Sequence, residues 1–164
     1  PVAAQHIRGN DLPGTVALDQ GVELLDPVQV FNLMQTKQCI LIDVRDKDRD
    51  VGVIEGAAHE PTSFERPLFV RVPELVKKYS GKPLIIFHCQ YSCHRARQSA
   101  NWYCKQADLK QRVAVLDGGF RGWQKLNLPV RCPTLSGTGS DQTYACFMAA
   151  EFLCKKPVNS QKQA

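Results

Sequence analysis

The chain has 164 residues, 43% of them apolar and 23% charged, enough for one domain with tails and a core buried without staples. No apolar run reaches the roughly 18 residues of a membrane helix, and the opening PVAAQHIRGNDLPG lacks the apolar centre of a secretory signal. The net charge of +5 comes without a basic stripe interleaved with aromatics, which speaks against nucleic acid and leaves a solvated basic surface or attraction for anions.

Residues 1–22 mix Gly, Pro and polar side chains without period and are expected to be a mobile leader. Their first residue is not Met, so the natural start is expected upstream. A helix is expected from Asp26, with Pro27 at its first position and Val28, Val30, Phe31, Leu33 and Met34 as its apolar residues. CILIDV (39–44) is a short branched apolar run, a buried strand. The charged run RDKDRD (45–50) reads as a loop, and 53–58 as a short strand. Leu68 to Tyr79 has helical spacing and ends at Ser80-Gly81.

PLIIFH (83–88) is a second strong strand. Residues 96–109 predict a helix through Ala100, Trp102, Tyr103, Ala107 and Leu109. VAVLDGG (113–119) predicts a third strand closed by a Gly-Gly turn, and FRGWQKL (120–126) a short helix. Apolar strands that alternate with helices predict an α/β fold, a central parallel sheet with helices on both faces. The domain is expected over 23–131, and 132–164 as a flexible spacer plus a C-terminal amphipathic helix with Tyr144, Phe147, Met148, Phe152 and Leu153. That helix packs on the domain or docks a partner.

The chemistry is concentrated in HCQYSCHRAR (88–97). Cys89 directly follows a strand, and Arg95 stands at the expected start of a helix. Ligands of open α/β sheets bind at the carboxyl ends of strands, where N–H groups and a helix dipole favour an anion and a thiolate. Arg95 adds a planar fork for two oxygens of a tetrahedral oxyanion. Two Cys and two His in one stretch suggest zinc, but all four lie on one tight loop, His88 is sent to the opposite side from Cys89 by strand alternation, and Cys132, Cys146 and Cys154 are scattered. No metal is therefore expected. The seven cysteines, an odd number, are expected to be free thiols in a reducing compartment, cytoplasmic or nuclear.

LIDVRD (41–46), Cys89 and LDGGFRGW (116–123) resemble the start, active loop and end of a rhodanese domain, over roughly residues 24–130. Rhodanese-type sulfurtransferases usually carry one residue fewer between the Cys and the Arg. Here the loop holds Gln90, Tyr91, Ser92, Cys93 and His94. His-Cys-x5-Arg on this framework resembles the cell-division-cycle dual-specificity phosphatases and the eukaryotic arsenate reductases, and RDKDRDVGVI (45–54) is similar to the small reductases of that group.

The resemblance implies a covalent cysteine intermediate, with Cys89 as nucleophile and the N–H groups of 90–95 with Arg95 as oxyanion binders. His88 either tunes the nucleophile or is a hydrogen-bonded strand-end histidine. His94 either protonates the leaving group or is a solvated loop histidine. Asp43 and Arg45 are expected to support the loop base. No cofactor is implied, only glutathione or another thiol as co-reductant for arsenate. The implied substrates are a phosphorylated protein or a small oxyanion, with neither nucleic acid nor membrane as partner. Thiosulfate sulfurtransferase and a non-catalytic rhodanese-type regulatory module are the alternatives.

The chain departs from those phosphatases at three places. His94 replaces an acidic residue before the arginine, Ala96 replaces a hydroxyl residue after it, and Val44 stands where a second cysteine would back up the first. Cys93 is a bystander thiol, or a substitute reached only by opening the loop.

Overall fold

The computed structural model describes residues 12–132. The C-terminal helix expected beyond them lies outside the described residues. Strand β1 (Val22–Leu25) leads into helix α1 (Pro27–Gln35). The Asp26 side chain accepts from Val28 N–H at 2.8 Å and Gln29 N–H at 3.4 Å, so a capping carboxylate and Pro27 set the start of the helix. Strand β2 (Ile40–Asp43) follows, then a 3₁₀ turn at Lys47–Val51 and two short strands, β3 (Val53–Ile54) and β4 (Ala58–His59). A 3₁₀ turn at Leu68–Arg71 runs into helix α2 (Val72–Lys78). Then come β5 (Leu84–His88), α3 (Arg95–Cys104), β6 (Arg112–Leu116), α4 (Gly119–Lys125) and β7 (Val130–Arg131).

Five strands form one sheet in the order β1-β6-β5-β2-β4, with every pairing parallel. Alternation along the central strands divides the core. Ile42, Ile85, Phe87, Val113 and Val115 face one side with Leu75, Ala100 and Tyr103. Leu41, Leu84, Ile86, Ala114 and Leu116 face the other with Val30, Phe120 and Trp123. The chain leaves β2 for β4 on one side and returns to β5 on the other. This reversal opens a crevice at the carboxyl ends of β2 and β5, the usual ligand position in such sheets.

Several boundaries differ from expectation. The stretch expected as one strand over 53–58 is two: β3 pairs antiparallel with β7 while β4 joins the main sheet. Helix α3 stops at Cys104 rather than 109, and Leu109 is fully exposed instead of packed. The leader expected over 1–22 differs in its last part. Val16 N–H donates to the Cys93 carbonyl at 2.8 Å, and Asp19 N–H to the Asn101 side chain at 3.0 Å. Lack of apolar period hid these polar anchors. Cys39, Cys89, Cys93 and Cys104 are free thiols, but Cys132 is disulfide-bonded, against the expectation of free thiols throughout; an odd count does not stop a pair from forming. No described helix is long and apolar enough to cross a membrane.

Candidate active site

Cys89 is buried in the first turn beyond β5. The chain then curls through Gln90–His94 and enters α3 at Arg95. The carbonyls of this curl are held from behind. Phe120 N–H donates to the Cys89 carbonyl at 2.9 Å and Arg121 N–H to that of Gln90 at 3.0 Å. Arg97 Nε donates to the Ser92 carbonyl at 2.8 Å, and Val16 N–H takes the Cys93 carbonyl. With the carbonyls turned out, the N–H groups are left to the inside. Among the described residues, the N–H groups of Gln90, Tyr91 and Ser92 donate to no protein acceptor, while those of Cys93 and His94 face the Cys93 sulfur. Consecutive free N–H groups next to a helix start form an anion nest. Ser92, at φ 53°, supplies the left-handed residue that bends it.

The Gly-Gly turn has its reason here. Gly119 has φ 58°, and a Cβ on it would stand 2.5 Å from the Cys89 carbonyl oxygen and 2.8 Å from Ser92 N. Only glycine lets the start of α4 back onto the loop this closely.

The buried pair beneath the loop is Asp43 with Arg45. Arg45 donates from Nε to Oδ1 at 3.0 Å and from Nη2 to Oδ2 at 2.8 Å. It also reaches the Gly52 carbonyl at 2.9 Å and Gln90 Oε1 at 3.1 Å, and its guanidinium lies 4.1 Å from the Phe120 ring centre. Burial alone pushes the Asp43 carboxyl up. The hydrogen bonds and charge of Arg45, with His88, outweigh it and hold the group below the usual carboxylate range.

His88 does not join the loop interior. Its ring is fully buried on the other side of β5, with Nε2 3.7 Å from Asp43 Oδ2 and Nδ1 3.3 Å from the Cys89 carbonyl. Burial pulls it down from 6.5 to about 4, so it stays neutral through the physiological range. Cys93 Sγ lies 3.2 Å from His94 Nδ1, and burial, with Cys89 nearby, pushes the Cys93 thiol up. His94 is exposed at the mouth of the loop. The four Cys and His side chains thus do not converge, and no group of three or more potential ligands able to hold a metal occurs among the described residues.

Sequence reasoning missed Asp48. It lies in the 3₁₀ turn read only as a charged loop, and it takes both arms of Arg95: Nη1 to Oδ1 at 2.9 Å and Nη2 to Oδ2 at 2.5 Å. The hydrogen bond holds the Asp48 carboxyl low and pushes the arginine up further. Two of five donors are used, end-on, which leaves the Nε edge of the fork open. No local spacing marks Asp48, because its partner Arg95 stands 47 residues further on.

A free thiol at the carboxyl end of a central parallel strand, beside loop N–H groups and an arginine, defines an α/β domain built around a cysteine loop. Its family is explicit. A rhodanese-like domain model matches residues 26–126, and the chain belongs to that family. It is 29% identical over 123 residues to arsenate reductase 2.2 of Oryza sativa subsp. japonica, covering 69% of this chain and 91% of that one. It is 28% identical over 126 residues to the dual specificity phosphatase Cdc25 of Arabidopsis thaliana, covering 71% and 84%. Among solved structures, the As-Sb reductase from Leishmania major aligns with TM-score 0.56 and 27% identity, covering 64% of this chain and 78% of that one. Homologues of this chain thus include both arsenate reductases and phosphatases, which supports an enzyme of that general class.

Proposed function

We propose that the chain is a cysteine-dependent enzyme acting on a tetrahedral oxyanion, a phosphate ester or arsenate. The carrying observation is the set of N–H groups at Gln90, Tyr91 and Ser92 with no protein acceptor, beside the Cys89 thiol. Donors without a protein partner are satisfied by an acceptor, and an anion with several oxygens supplies several acceptors at once.

In the phosphatase reaction, Cys89 as thiolate attacks phosphorus in line with the ester oxygen. The S–P bond forms as the P–O bond breaks, and the leaving oxygen takes a proton, for which His94, exposed in the loop, is the candidate donor. The loop N–H groups and the open edge of Arg95 stabilise the equatorial oxygens. Water then cleaves phosphocysteine to inorganic phosphate. With arsenate, Cys89 sulfur displaces hydroxide from arsenic, and an external thiol such as glutathione attacks that sulfur. Arsenic takes two electrons and leaves as arsenite, while the two sulfurs end as a mixed disulfide that a second thiol reduces.

His88 acts as a neutral buried support rather than an acid or base. Asp48 orients Arg95, and Asp43 with Arg45 braces Gln90. The test is activity on p-nitrophenyl phosphate, on arsenate with glutathione, and on thiosulfate with cyanide, in wild type, Cys89→Ser and Arg95→Ala. Turnover of either of the first two that both substitutions abolish supports the reading. Turnover of thiosulfate alone replaces it with sulfur transfer, and inactivity on all three with a binding module.

A further inference from the structure

A recess of about 440 Å³ opens between α3 and the segment 62–69. Its volume falls within the roughly 300–1,000 Å³ of small-ligand sites. Phe64, Pro67, Phe69 and Trp102 make its walls, and Arg95 and Gln98 bound one side. No lining residue carries a carboxylate, and Arg95 is its sole charge.

The walls are both uncovered and braced. Phe64 is 97% exposed and Phe69 51%, and such surface gains by being covered. Yet their segment is anchored at both ends. Thr62 N–H donates to the Val44 carbonyl at 3.1 Å. Thr62 Oγ1 accepts from Leu68 N–H at 2.9 Å, and the Phe69 ring meets Trp102 edge-on at 5.5 Å between centroids. Val44 directly follows β2, so this segment hangs from the same sheet crevice that carries Cys89.

We infer that this recess receives the aromatic group of an oxyanion ester whose charged head sits in the Cys89 loop. The inference rests on the oxyanion reading of that loop. Arg95 is the shared wall, closing the loop at its first helical residue and lining the recess with the same side chain. An oxyanion head held by ring N–H groups has one substituent left over. In an aryl ester that substituent is a flat apolar ring, which suits edge and face contacts with Phe69 and Trp102 and a cation beside its face. Free arsenate has no such group and leaves the walls bare. The substrate class is therefore an aryl oxyanion ester, either a phosphorylated tyrosine side chain or a small aryl phosphate.

Calorimetric titration of the full chain with arsenate, methylphosphonate and phenylphosphonate tests this, since the two phosphonates share a head and differ in the ring. The expected result is a Kd for phenylphosphonate at least tenfold below that for methylphosphonate, with the ratio falling towards one in both Phe69→Ala and Trp102→Ala. Phe69 is half exposed, so its variant remains informative if Trp102→Ala does not fold. A ratio near one in wild type, or one retained in the folded variants, overturns the inference while arsenate binding leaves the loop reading intact. No binding of any of the three overturns the loop reading and this one with it. A phosphotyrosine peptide that binds tighter than phenylphosphonate assigns a protein source, and the reverse a small molecule.

Discussion

Gly119 and Cys89 meet so closely that a single added carbon on the glycine would stand 2.5 Å from the cysteine carbonyl oxygen. The loop is thus shaped from outside, by the turn that follows β6. Gly119→Ala is expected to destabilise the protein by at least about 1 kcal/mol from its left-handed backbone alone. It should also displace the loop and remove most Cys89-dependent activity. Urea unfolding and activity on the same preparation check both; a fully active, equally stable variant would show that the loop tolerates the shift.

Asp48→Asn keeps the shape of the side chain that grips Arg95 and removes its charge. Activity is expected to fall, with kcat/KM dropping about tenfold to a hundredfold, as expected when a clamping group loses its orientation. Asp48→Glu should recover part of it. If Asp48→Asn instead raises kcat/KM, the carboxylate competes with substrate for Arg95 rather than orienting it.

Arg45→Met leaves Asp43 as a buried charge deprived of its main partner. Such breaks cost about 3–5 kcal/mol, and thermal and urea unfolding should register a loss of that order. A loss below about 1 kcal/mol would mean that Arg49, 3.2 Å from the same carboxylate, takes over.

His88 gives a pH dependence of defined sign. Its folded value of about 4 lies below the ordinary 6.5, so between those values the unfolded chain binds the proton and the folded one does not. Stability from this group is complete above about pH 6.5 and lost as pH falls towards 4, by on the order of 3 kcal/mol. In His88→Gln that part of the slope should vanish. Unfolding midpoints at pH 7.5, 6 and 5 in both proteins decide it; identical slopes would assign the pH dependence elsewhere.

The parts legible in sequence were those with local causes. Asp26 with Pro27 marked a helix start. Branched apolar runs at 39–44 and 83–88 marked buried strands, and the cysteine after the second run marked the site. What stayed hidden was set by partners distant in the chain. Asp48 is one charge among several in RDKDRD, and only the fold brings it to Arg95, 47 residues on. Val16, Ala17 and Asp19 carry no period, because their backbone partners are the loop, Arg97 and Asn101. Leu109 fitted a helical spacing that the chain abandons at Cys104, where the turn towards β6 takes over.

The loop leans on residues at both ends of the domain, Val16 ahead of it and Phe120 and Arg121 after it. A chain still being synthesised that has emerged only through Ala107 already carries Cys89, Arg95 and Asp48. It lacks Phe120 and Arg121, whose N–H groups hold the Cys89 and Gln90 carbonyls. The backing of the Cys89 and Gln90 carbonyls is therefore among the last features of the loop that a growing chain completes.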